Sequence, residues 1–287
     1  METLDNIQLG GERPLFESHH LTLHNVTITD GESAIKECSD IHAHHCHFYG
    51  KYPFWHVNGF EIADCHFAVE ARSALWYSND LIMRDTVIDG PKMFREMHNL
   101  SLENVTINDA DETFWACHGI RMKNVRLKDG TYPFMFSTDI VVDGLNTDSK
   151  YVFQYVKNVE VHNAHIATKD AFWETENVTV YDSYIDSEYL GWHSKNIKFV
   201  RCQIAGTQPF CYIDGLTLED CTMNADSDLA FEYSSVDAHV NGHIVSVKNP
   251  RTGLIEADTI GEIIIDQNIK GPADCIIRQR NHDRHAI

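Results

Sequence analysis

"NLSLENVTI" (residues 99–107) decides the fold. Leu100 and Leu102 alternate with Ser101 and Glu103, which is the period of a strand with one buried face. Asn104 then turns the chain, and Val105-Thr106-Ile107 starts a second extended run. Asparagine suits such a corner because it tolerates left-handed backbone and bonds neighbouring turns. Working outward, the frame recurs as "HLTLHNVTI" (20–28), "GIRMKNVRL" (119–127), "NVEVHNAHI" (158–166), "NVTVYDSYI" (177–185) and "GLTLEDCTM" (215–223). It also fits at 40, 59, 80, 139 and 196, so successive copies lie 19 to 21 residues apart.

A period of this length marks a stack of repeats, each burying its inward row only against its neighbours. Asn25, Asp64, Asp85, Asn104, Asn124, Asn163, Asp182 and Asp220 form one turn column. Phe54, Phe94, Phe114, Phe134, Phe153, Phe172, Phe210 and Phe231 form another, read as the start of a third strand. Three short strands and three turns per repeat predict an all-β right-handed parallel β-helix of about eleven coils over residues 20–235. A left-handed helix of six-residue steps does not fit the coil lengths. A pentapeptide-repeat solenoid fits "NLSLENVTIN", but the Phe-Trp runs break its five-residue beat. Residues 1–19 are expected to cap one end, and residues 236–287 to form a small β cap with a polar tail.

The chain carries 23 Lys+Arg against 43 Asp+Glu, a formal net charge of −20, which argues against nucleic acid or an anionic membrane as partner. The first ten residues lack a signal-peptide pattern, so a cytoplasmic protein is expected. The eight cysteines include no CxxC pair, and Cys46, Cys65, Cys202 and Cys221 share a column, as do Cys38 and Cys117. Shared columns point to reduced core thiols. "HAHHCH" (42–47) spreads His42, His44 and His45 over different columns, so no metal site and no cofactor is expected.

All five tryptophans, Trp55, Trp76, Trp115, Trp173 and Trp192, fall in the column after the phenylalanines. Lys36, Arg95, Gln154 and Glu232 share it, and such residues are not buried unpaired, so the column faces outward. The next column holds His56, Tyr77, Tyr155, Glu174, His193 and Tyr212, while Lys51, Arg72, Lys92, Lys169, Asp170 and Glu188 lie in the turn that feeds the strand. Flat indoles repeated along a groove offer faces to sugar rings, and flanking charges bind hydroxyl or carboxylate substituents. An oligosaccharide, neutral or uronate-containing, is the expected ligand. Sheet-stiffening stacking and a protein interface, including a homo-oligomer, are the alternatives.

The motifs "GESAIKE" (31–37), "KYPFWH" (51–56), "KDAFW" (169–173), "EYLGW" (188–192), "GTQPFCY" (206–212) and "VKNPRTG" (247–253) cover nearly the whole chain. On these motifs the chain resembles the pectin-lyase-like β-helix superfamily, and more closely an uncharacterised bacterial family of such helices. The superfamily's polygalacturonases combine an aspartate cluster with Gly-His-Gly and Arg-x-Lys. Here "CHGIRMK" (117–123) echoes this only superficially, since His118 and Arg121 lie away from the tryptophan face.

Two chemistries stay open. Hydrolysis needs two carboxylates about 5–5.5 or 6.5–9.5 Å apart, and Glu174 with Glu188 or Asp170 are the candidates. Elimination needs a base, for which Lys169 or Lys92 stand available, and a cation such as Arg95 or Arg72 to neutralise a uronate carboxylate. His193 is a further acid or base, since imidazole titrates near neutral pH. The catalytic candidates are therefore Lys169, Asp170, Glu174, Glu188, His193 and Arg95. A lyase or glycoside hydrolase is expected, with a non-catalytic glycan-binding or scaffold protein as the alternative.

Overall fold

The computed structural model describes residues 2–280. It divides into two compact units, residues 1–150 and 151–287. Both are all-β, and both are parallel solenoids.

In the first unit, eight strands repeat the leading row of the frame: Glu2–Asp5, His19–His24, Ser39–His44, Asn58–Ala63, Asn79–Arg84, His98–Glu103, His118–Leu127 and Thr138–Thr147. They pair parallel and in register, so Leu21, Ile41, Phe60, Leu81, Leu100, Ile120 and Ile140 lie in one file. Every member of that file is buried. Ile28, Phe48, Phe67, Ile88, Ile107 and Leu127 make a second buried file from the shorter strands.

The second unit holds seven leading strands, Lys157–His162, Glu176–Tyr181, Lys195–Val200, Asp214–Met223, Ser235–Lys248, Thr252–Ile264 and Ile276–Gln279. Val159, Val178, Ile197, Leu216 and Val236 continue the same logic there. The parallel β-helix class is as expected: eleven leading strands run from His19–His24 to Asp214–Met223, and four more outside that span bring the described residues to fifteen, eight in the first unit and seven in the second. The segments expected as caps carry coils of their own: Glu2–Asp5 pairs in parallel with Leu21–His24, and Thr252–Ile264 with Ser235–Lys248.

The corner columns behave as their chemistry requires. Asn25, Asn104 and Asn124 have φ of 52, 55 and 52°, the left-handed region. Their amides form ladders between coils: Asn104 Nδ2 donates to Asp85 Oδ1 at 3.0 Å, and Asn124 to Asn104 at 3.3 Å. In the second unit Asn196 donates to Asn177 at 2.8 Å, and Asn177 to Asn158 at 3.2 Å.

The expected third strand is instead a run of turns. Glu112, Phe114 and Ala116 all have positive φ, at 47, 55 and 52°. This backbone breaks strict in–out alternation, so Thr113 and Phe114 both point inward while Trp115 and Ala116 lie at the surface. Left-handed backbone is uncommon for a bulky residue and persists only where the surroundings fix it. Here the phenylalanines fix it by stacking, Phe94 on Phe114 at 4.5 Å and Phe114 on Phe134 at 5.0 Å. The backbone is also tied to the preceding coil, Phe114 N–H donating to Met93 O and Trp115 N–H to Phe94 O.

Seven of the eight cysteines are buried and all eight are free thiols. Cys117 Sγ donates to Phe94 O, and burial pushes its pKa up to about 12. The histidine cluster does not converge. His42 bonds Asp40 at 3.1 Å, while His45 meets His24 and His47 meets His66 edge-on. Among the described residues no group of three or more His, Cys, Asp or Glu side chains is arranged to hold a metal ion.

Candidate functional site

Each unit carries its own aromatic row. In the first unit Trp55 stacks on Trp76 with ring centroids 5.4 Å apart and planes 12° apart. Arg95 extends this stack, its guanidinium lying 4.5 Å from Trp76 and 5.2 Å from Trp115, while Lys36 sits 5.9 Å from Trp55. The row is thus Lys36, Trp55, Trp76, Arg95, Trp115, with each cation seated against an indole face. The column is held by backbone bridges between Lys36 and Trp55 and between Arg95 and each flanking tryptophan.

The indoles are half-buried rather than free platforms. Trp55 Nε1 donates to Ser73 O and Trp76 Nε1 to Lys92 O, both at 2.7 Å. In the second unit Trp173 donates to Tyr189 O at 3.2 Å and Trp192 to Gln208 O at 2.9 Å. Gln154, in the same column, donates to Asp170 O in the same way. Each acceptor lies two residues before the phenylalanine-column position of the following coil, so every such side chain staples its coil to the next. Trp173 and Trp192 are stacked at 5.9 Å and 7°.

Beside the tryptophans runs a second row. His56 stacks on Tyr77 at 5.2 Å in the first unit. In the second, His193 stacks on Tyr212 at 4.9 Å and Tyr212 on Tyr233 at 5.6 Å. Tyr155 is half-buried in this same column. The two rows meet at steep angles, 86° between Trp55 and Tyr77 and 68° between Trp192 and Tyr212, so together they present ring edges and partly open faces.

Of the catalytic candidates, Arg95 belongs to the first unit. Its guanidinium bonds Glu112 at 2.9 Å, and Lys92 bonds the other oxygen of Glu112 at 3.1 Å, so a ligand carboxylate there must compete with Glu112. Lys51 and Arg72 are exposed on the same edge.

The second unit brings Lys169, Asp170 and Glu188 together. Lys169 Nζ lies 3.4 Å from Glu188 and 5.8 Å from the Tyr189 ring. Hydrogen bonding to Glu188 pushes the lysine pKa up, which suits charge neutralisation rather than proton abstraction. Asp170 is only 8% exposed, and its Oδ1 has no hydrogen-bond partner among the described residues. Burial pushes its carboxyl up, Lys169 pulls it back, and Glu188 adds to the rise. Glu174 and His193 are neighbours in the second row, Glu174 N–H bonding Trp192 O.

Sequence reasoning missed two residues of the second unit. His193, Tyr212 and Tyr233 line a shallow cleft of ≈ 560 Å³ whose other walls are Arg251 and Lys270. Burial, with Glu232 nearby, pushes the Tyr212 phenol up. Near Tyr212, Glu232 is 9% exposed and bonds Lys248 at 3.0 Å. The "VKNPRTG" motif contains Arg251, but only the register of the last coils reveals what it faces.

Residues 2–278 match the family described as Protein of unknown function (DUF3737). The chain belongs to this family. The comparison with curated proteins returned no match. Among solved structures, the chain is similar to the tailspike protein of E. coli bacteriophage HK620 in complex with a pentasaccharide. That likeness has 9% identity and a TM-score of 0.48, and covers 95% of this chain and 69% of the tailspike. It is also similar to the A-module of the Azotobacter vinelandii mannuronan C-5 epimerase AlgE4, at 12% identity and a TM-score of 0.32, covering 97% and 91%. The plasmid-mediated fluoroquinolone resistance protein QnrB1 matches at 11% identity and a TM-score of 0.24, covering 83% and 93%.

Proposed function

We propose that this DUF3737 member is a bacterial, pectin-lyase-like protein of the cytoplasm that binds an oligosaccharide along the aromatic rows of its coils. The observation that carries the reading is the doubled row: offset indoles beside stacked imidazole and phenol rings, repeated coil after coil and flanked by charged side chains. Ring centroids 5 to 6 Å apart leave offset stacks whose outer edges stay accessible. Sugar C–H faces rest on such surfaces, while carboxylates and cations at the rim bind hydroxyl and acidic groups.

The Lys169–Asp170–Glu188 group supports hydrolysis over elimination. A carboxyl whose pKa is raised by burial suits the donor of a proton to a leaving oxygen, and Glu188 beside it is the candidate for the second carboxyl that glycoside cleavage needs. A second reading, in which the rows are purely structural, is favoured by one observation: the indole N–H groups of Trp55, Trp76, Trp173 and Trp192 are spent on backbone carbonyls.

Titration of intrinsic tryptophan fluorescence separates the two. Under the glycan reading, a panel of neutral and uronate-containing oligosaccharides gives a saturable change that the Trp115→Ala, Trp173→Ala double variant abolishes. If no sugar changes the signal, the rows are structural ladders.

A further inference from the structure

The aromatic row of the second unit ends against cations. Arg251 and Lys270 face His193, Tyr212 and Tyr233 across the cleft, and among the described residues no carboxylate lines it. In a chain of net charge −20 this is an uncommon placement. Cations elsewhere on the protein are commonly spent on carboxylates, as Lys92 is on Glu112, Lys198 on Glu219, Arg201 on Asp182 and Arg278 on Glu256. Lys248, near Tyr212, is spent on Glu232. Arg251 has no such ion pair among the described residues, and its Nε is buried without a hydrogen-bond partner. Its backbone is fixed from both sides, N–H to Ser234 O at 2.9 Å and O from Asp274 N–H at 2.8 Å. Asp214 lines an adjoining hollow that Arg251 also borders, without forming an ion pair with it.

We infer that this cleft is an acidic-sugar subsite, in which a uronate ring lies against Tyr212 and Tyr233 and its carboxylate is held by Arg251 and Lys270. Arginine matches a carboxylate with a planar fork of donors, and lysine adds a point charge. A phosphate beside a flat ring shares this chemistry, so a nucleotide is the competing occupant. The sugar is favoured because the cleft closes a row of rings repeated at coil spacing, which fits a chain of rings rather than one base. The inference rests on the glycan reading and deepens it.

Isothermal titration calorimetry on the full chain tests it with oligogalacturonate, oligomannuronate, their methyl-esterified forms and ADP. At least one acidic oligomer is expected to bind, its esterified form about tenfold more weakly. Arg251→Ala and Lys270→Ala are each expected to weaken the acidic oligomer about tenfold and leave the esterified one unchanged. Arg251→Lys should restore part of the loss. Lys270 is exposed, so its variant keeps the test open if Arg251→Ala melts early. Equal binding of acidic and esterified oligomers, insensitive to both variants, overturns the subsite while leaving the glycan reading intact. Arg251-dependent binding of ADP without binding of any uronate assigns the cleft to a nucleotide and overturns the proposal. Silence from every sugar here removes this inference, and the glycan reading falls with it only if the neutral oligosaccharides of the fluorescence panel are silent too.

Discussion

Phe114→Ala is expected to lower stability by about 3–5 kcal/mol, the cost of emptying a fully buried aromatic site. Phe114 has no exposed surface and lies between Phe94 and Phe134, with ring planes 12° and 11° from theirs. Deleting the ring removes two stacking contacts and leaves a hole that neighbouring coils cannot close, because their spacing is fixed by inter-strand hydrogen bonds. It also removes the packing that holds φ at 55° in this turn. Ile82→Ala is the control: Ile82 lies in an equally regular strand but faces outward at 47% exposure, so a change near 0.5 kcal/mol is expected. Urea denaturation of the two variants, followed by circular dichroism, gives the comparison. Equal losses would mean that the phenylalanine file is not what holds the coils together. Repeat arrays open locally, so hydrogen exchange should show the loss concentrated in the coils around residue 114.

What was legible in the sequence follows from periodicity. Inward residues of a strand recur every second position, so Leu100 and Leu102 announced their own burial. Corners that need left-handed backbone select Asn and Asp, so Asn104 announced its turn. The outermost coils were missed for local reasons. In the first coil Glu2 occupies the position that pairs with Leu21, so the apolar rule fails at an end where burial is not required. In the later coils a register shift between Val240 and His243 breaks the frame. The third strand was misread because Phe at positive φ leaves no clear trace in composition; the signal available was the doubled inward residue, as in Pro53-Phe54 and Met93-Phe94. The tryptophan column was legible from its own register. The cleft was not, because Arg251 and Lys270 lie beyond the slip. The expectation for the polar tail falls largely on residues 281–287, outside those described.

Asp170→Asn is expected to stabilise the protein by about 1–2 kcal/mol at neutral pH, the order of cost for a buried polar group left unsatisfied. The direction follows from the environment. Burial disfavours the charged carboxylate, Glu188 repels it, and Lys169 only partly compensates, so the folded-state pKa stands above its unfolded value. A carboxyl raised in this way costs stability above its folded pKa. The cost shrinks as pH falls through that value and is absent below the unfolded value of about 3.9. The gain from Asn should therefore be largest at neutral pH and vanish on acidification, which melting of both proteins across that range would show. Asparagine is the right substitute because φ at this position is 53°, which alanine would tolerate less well. A flat difference across pH would show that Asp170 bears no uncompensated charge. A stability gain accompanied by loss of turnover on a uronate or neutral oligosaccharide would mark Asp170 as an acid held at the expense of the fold, the compromise expected of an active site. A gain with binding and turnover untouched would place the chemistry elsewhere in the unit, with Glu174 and His193 as the next residues to replace.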